Sequence, residues 1–136
     1  MAEVTIRKLD DMDSIAQGAF KRAGSELELE AFGMNVLDFP PDSGEGVYPH
    51  HDHTHDDQEE IYIAWRGSGI ITVGDDEITL DEETVVRVGP GAKRKIRAGS
   101  DGMRLLALGG VPGKAYERPE VFSKGTPDPT AQPQNA

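Results

Sequence analysis

Cysteine is missing altogether from the 136 residues. That excludes disulfides, thiolate metal sites and a cysteine nucleophile, and it fits the reducing cytoplasm. Long apolar runs are missing too, and no basic stretch followed by an apolar one opens the chain. Neither a spanning helix nor a secretory signal is therefore expected. Basic residues are scarce: 14 Lys and Arg face 25 Asp and Glu, for a formal net charge of -11. Such a surface repels phosphate backbones and anionic lipid, so no nucleic-acid or membrane partner is expected. The length suits one domain with a single modest core.

Long helical patterns are also lacking. Gly, Pro and Asp interrupt the chain about every eight to twelve residues, the spacing of an all-β sandwich or barrel. "VTIRKL" reads as an edge strand, "DSIAQGAFKRAG" as a short helix or irregular turn, and "ELELEAFGMNVLDF" as a half-buried strand. After "PPDSGEG", the segments "EEIYIAWR", "IITV", "ITL", "TVVRV", "KRKIRA" and "MRLLALGG" read as short strands. "GSG", "GDDE", "GPG" and "GSDG" part them as turns. The last dozen residues are too poor in apolar side chains to offset their ordering entropy and are expected to be disordered. The expected organisation is an N-terminal extension over 1–35, a small antiparallel barrel over 36–110 and a C-terminal segment over 111–136.

Histidine, by contrast, is concentrated. "HHDHTHDDQEEIY" holds every one of the four: His50, His51, His53 and His55. Two imidazoles one residue apart on extended backbone point to the same side. His51 and His53 meet this condition, and so do His53 and His55. A carboxylate on an adjacent segment would complete a facial trio suited to Fe, Mn, Zn or Ni. Alternation puts Glu60 on one side with Tyr62 and Ala64, and Glu59 on the other with Ile61, Ile63 and Trp65. Tyr62 and Trp65 read as core or pocket wall, and Tyr62 is also a candidate hydrogen-bond donor to a ligand. Lys93 and Lys95 read as solvated. The loop lacks the glycine and terminal glutamate of a calcium-binding EF-hand. No G-x-S-x-G elbow or H-E-x-x-H helix occurs, so triad hydrolysis and zincin chemistry have no support.

At these residues the sequence resembles the cupins. His53-x-His55, four residues, Glu60, six residues, Gly67 follows the first cupin motif, H-x-H-x(3,4)-E-x(6)-G. The second motif, G-x(5)-P-x-G-x(2)-H-x(3)-N, would run from Glu83 to Ala98. There the chain keeps Gly91 but has Glu83, Gly89, Arg94 and Ala98 where the family has Gly, Pro, His and Asn. Arg94 thus stands in the place of a metal-ligating histidine, and a guanidinium has no lone pair to offer. The resemblance implies a double-stranded β-helix, or jelly-roll, barrel. It also implies a homodimer joined through outer strands, with "ELELEAF" and "VTIRKL" as candidate contacts.

Three readings stand side by side. In the first, His51 and His53, or His53 and His55, hold a divalent metal with Glu60. The protein is then an oxidoreductase or isomerase, and Arg94 orients a negatively charged group of a small polar or anionic substrate. In the second there is no metal. Arg94 replaces its charge by pairing with Glu60 or Glu59, and the pocket binds a small ligand. In the third the histidine loop is surface and only titrates.

Overall fold

The computed structural model describes residues 3–49, 51, 53–54 and 56–129. The disorder expected near the C-terminus falls, from residue 130 onward, outside these residues.

Among the described residues one antiparallel sheet of seven strands organises the chain. Its strands are β1 (Ser14–Ile15), β2 (Phe20–Lys21), β3 (Gly33–Phe39), β4 (Glu59–Val73), β5 (Asp76–Leu80), β6 (Val85–Val88) and β7 (Arg94–Gly110). They pair in the order β1-β2-β3-β7-β4-β5, and β6 pairs with the first part of β4. The all-β, antiparallel expectation is met. The only α-helix among the described residues is a single turn, α1 (Ala23–Glu26), and none is long and apolar enough to cross a membrane.

Two strands run longer than their sequence suggests. "GSG" does not end a strand, and "GSDG" does not separate two: β4 and β7 pass straight through them. The β4–β7 ladder instead shifts register between Ala64 and Arg66 and again between Gly67 and Gly69. Gly67 (φ +79°) pairs with Met103 here, and a Cβ on it would collide with the carbonyl of Gly102 (φ +75°). The glycines therefore permit bulges and close strand approach, not chain reversal.

Three other expectations are corrected near the N-terminus. "VTIRKL" forms no strand, and Val4 and Ile6 are 68% and 79% exposed. "DSIAQGAFKRAG" is a small β1–β2 hairpin whose turn uses Ala16, Gln17 and Gly18 at positive φ. "ELELEAFGMNVLDF" becomes strand only at Gly33, because the chain leaves α1 through Glu28 at φ +56°. Local alternation was present there, but no neighbouring strand completes a ladder with it.

Side chains alternate across the sheet as period two requires. Along β4, Glu60, Tyr62 and Ala64 are buried, as are Arg94, Ile96 and Ala98 along β7. They join Leu37, Ile71, Leu80 and Leu105, all fully buried, in one core. Each such aliphatic side chain contributes about 1.5–3 kcal/mol on burial. Trp65 is not core. It lies on the outer face, 52% exposed, with the Arg104 guanidinium 5.7 Å from its ring centre.

The C-terminal segment returns across the N-terminal hairpin. The Phe20 and Phe122 rings stack with centroids 5.4 Å apart. The buried Arg22 donates to Asp13 at 2.8 Å and to the Thr126 carbonyl at 2.7 Å. Asp128 accepts from the Ala16 amide at 2.9 Å. These contacts bring two segments far apart in sequence to one end of the sheet.

Candidate metal centre

The histidine loop is stitched to the turn that precedes β7. His51 and Arg94 exchange backbone hydrogen bonds of 3.0 and 2.8 Å. The His53 amide donates to the Pro90 carbonyl at 2.8 Å. The amides of Asp56 and Asp57 both donate to the His53 carbonyl, with Asp57 at φ +57°. This tight turn reverses the chain into β4, so that Glu60 arrives beneath His53.

Three ligand atoms converge as a result. His51 Nε2 lies 3.2 Å from His53 Nε2 and 3.6 Å from Glu60 Oε1, and His53 Nε2 lies 2.7 Å from the same oxygen. Ligands about 2.1 Å from one metal ion stand roughly 3.0 Å apart at adjacent octahedral positions and 3.4 Å apart at tetrahedral ones. The observed separations bracket both values. His51, His53 and Glu60 could therefore hold a divalent ion.

Ring hydrogen bonds make the same point. His51 Nδ1 is 2.6 Å from the Pro49 carbonyl, which only accepts, so that nitrogen carries the proton. His53 Nδ1 faces the Asp56 carboxylate at 3.1 Å and donates likewise. In neutral rings both Nε2 lone pairs then point at each other and at a carboxylate oxygen. Three acceptors cannot converge without a cation among them, whether a metal or a proton on His53 Nε2. An outer N–H held by a carbonyl or carboxylate is also the usual support of a metal-binding imidazole. The donor set fits a metal.

Glu60 is the hub of the surrounding network. Its Oε1 accepts from Tyr62 OH at 2.6 Å, Tyr48 OH at 3.0 Å and Arg94 Nη1 at 3.3 Å. Burial pushes the Glu60 carboxyl up, but the contacts of His51, His53 and Tyr62 outweigh it and hold it far below the ordinary range. Burial draws His53 down, yet Glu60 and Asp56 raise it above its usual value. Burial and the Glu60 charge push both tyrosine hydroxyls up. Tyr48 and Tyr62 also touch, oxygen to oxygen, at 2.6 Å. Two hydroxyl protons thus serve three contacts, and one contact is without a proton at any moment.

His51, His53 and Glu60 come together, whereas His55 lies outside the described residues. Arg94 is fully buried, behind Glu60, with Nη2 donating to the Gly89 carbonyl at 2.6 Å and Nε without a partner. Lys93 and Lys95 point outward and are exposed. A cavity of about 310 Å³ opens over the cluster. Tyr48, His51, His53, Asp56 and Glu60 line it, but Tyr62 and Arg94 do not. Sequence reasoning missed Tyr48 and the supporting role of Asp56. The available signals were an aromatic beside the proline that opens the histidine run and an aspartate three residues after His53.

No protein-family model matches the sequence, and no curated protein matches it. Solved structures do. A cupin protein from Bacteroides fragilis is 23% identical over 88% of this chain and 93% of its own, with a TM-score of 0.66. An RmlC-like cupin protein from Desulfovibrio desulfuricans is 21% identical over 59% of this chain and 72% of its own, with a TM-score of 0.50. A cupin 2 conserved barrel domain protein from Salinispora arenicola is 19% identical over 58% and 62%, also at 0.50. The fold is that of the cupin proteins.

Proposed function

We propose that this chain, whose fold is that of the cupin proteins, is a metal-dependent enzyme of the oxidoreductase or isomerase type acting on a small molecule. The observation that carries the reading is the convergence of His51 Nε2, His53 Nε2 and Glu60 Oε1 within bonding reach of one ion. A bound metal would supply Lewis acidity, polarising a donor atom of the substrate. His51, His53 and Glu60 would hold it, and Asp56 would fix the His53 ring. Tyr48, at the cavity wall and bonded to Glu60, is placed to hold or pass a proton. Arg94 would act through Glu60, offsetting its charge and fixing its orientation. The sheet is proposed to close as a jelly-roll barrel around this core, and the protein to work in the cytoplasm as a homodimer.

A second reading has its own observation. The buried Arg94 guanidinium sits 3.3 Å from Glu60, as a permanent substitute for a cation would. In that case the cavity belongs to a metal-free binding protein. Elemental analysis of untagged protein, purified without nickel resin, separates the two. Stoichiometric iron, manganese, zinc or nickel that is lost in His53→Ala supports the metal enzyme. A metal-free protein that takes up none of these cations on incubation overturns it.

A further inference from the structure

The walls of the cavity differ in chemistry. One side carries the ligand cluster and Tyr48. The other is apolar, built from Phe20 of the hairpin, Val47 of the loop, and Val121 and Phe122 of the C-terminal segment. Neither wall is an accident of one flexible side chain. Phe20 and Phe122 are stacked on each other, and the Arg22 and Asp128 contacts hold the C-terminal segment in place. At about 310 Å³ the space is roughly twice an apolar cavity that takes up benzene.

The sequence suggests a polar or anionic substrate gripped by Arg94. The geometry offers no such grip, since Arg94 lies behind Glu60 with Nη1 and Nη2 engaged. Polar recognition is confined to one wall, and an ion or small hydrophilic molecule would leave the apolar wall wet. We propose that the site takes an amphipathic small molecule: a single ring or branched aliphatic body against Phe20, Val47, Val121 and Phe122, with one oxygen donor group reaching His51, His53 and Glu60. The C-terminal segment is then the wall that sets specificity. This rests on the metal-centre reading for the role of the donor group, but not for the place of the apolar body.

Phenylacetate and acetate share a carboxylate and differ by the ring, so their affinity ratio isolates the apolar wall. On zinc-loaded full-length protein, calorimetric titration is expected to favour phenylacetate roughly tenfold to a hundredfold, the worth of burying one such side-chain-sized group. Val121→Asn, polar but uncharged, is expected to collapse that ratio while leaving zinc content unchanged. Val121→Ser, a milder change, should reduce it, and melting curves check that both variants are folded. Equal affinities for the two acids, or a ratio untouched by either variant in folded protein, overturn the proposal. If the protein retains no zinc, the metal-centre reading fails by itself. Saturation-transfer NMR of the two acids on the metal-free protein then decides: a preserved, Val121-dependent ratio supports the cavity assignment, and its absence overturns it.

Discussion

The Nε2 atoms of His51 and His53 face each other at 3.2 Å, each ring donating from Nδ1 to a different acceptor. Neither ring can satisfy the other, so the pair is balanced only by a positive charge between it and Glu60. A proton on His53 provides that charge, and a metal ion provides it better, because it accepts all three lone pairs at once. The same geometry could therefore hold either a proton or a metal ion. The two would compete for it, so metal affinity is expected to fall as pH falls.

Removal of bound metal should lower stability. At a free metal concentration a hundredfold above Kd, binding contributes about 2.7 kcal/mol. For a domain of this size that corresponds to roughly 10 °C in Tm. A chelator should produce that downward shift in the wild type and none in Glu60→Ala, as followed by thermal melting.

Asp56 holds the His53 ring through Nδ1 and also accepts from the Gln58 amide at 3.2 Å. Asp56→Ala is expected to weaken metal binding about tenfold to a hundredfold without abolishing it. Competition titration with a colorimetric chelator reads the change. Affinity equal to wild type would remove Asp56 from the site.

Arg94 and Glu60 form a buried pair, and loss of Arg94 leaves the Glu60 charge to the His53 and tyrosine contacts alone. Arg94→Met should destabilise the metal-free protein by about 3–5 kcal/mol. A metal ion bound at Glu60 compensates the same charge, so the deficit should shrink when zinc is present. Denaturant melts of wild type and variant, each with and without zinc, test this. A deficit independent of zinc would mean that Arg94 acts by packing alone.

Tyr48 and Tyr62 share Glu60 and each other. Tyr48→Phe and Tyr62→Phe should each cost about 1–2 kcal/mol, and the double variant should cost less than their sum, because either single variant already loses the Tyr48–Tyr62 contact. A double-mutant cycle measures the coupling. Strict additivity would mean that the two hydroxyls act independently.

Away from the site, Asp38 on β3 is clamped by Arg104 on β7, with Oδ1 accepting from Nε at 2.6 Å and Oδ2 from Nη2 at 3.2 Å. Burial pushes the Asp38 carboxyl up, but Arg104 and Lys21 outweigh it and lower it. Its folded value lies below the unfolded one of about 3.9. The contribution is therefore complete above that pH and is lost as pH falls through the folded value. Asp38→Asn should cost about 1 kcal/mol at pH 7, and its deficit against wild type should shrink steadily in melts performed at successively lower pH below the unfolded value.

The sequence by itself determined what depends on neighbours along the chain. Period two fixed that Glu60, Tyr62 and Ala64 share one face of β4; that Arg94, and not Lys93 or Lys95, points inward was decided only by the register of β7. Turn residues every eight to twelve positions, with no long helical pattern between them, fixed the all-β class. The absence of cysteine confined any metal site to nitrogen and oxygen donors. The same alternation misled at Trp65, where it correctly gave the face but not whether that face was covered.

Tertiary structure decided what depends on partners distant in the chain. His51 and His53 pair with Glu60 because their backbones bond to Arg94 and Pro90, about forty residues away. Spacing within the loop could not choose this pair over His53 and His55. Gly67 and Gly102 read locally as turn residues, but a Cβ on Gly67 would meet the Gly102 carbonyl on β7 and one on Gly102 the Phe39 carbonyl on β3, and only those encounters exclude side chains there. The apolar wall was hidden most deeply. Phe20 and Phe122 stack across some hundred residues, in segments without useful periodicity, and long-range packing leaves no pattern in the residues on either side of it.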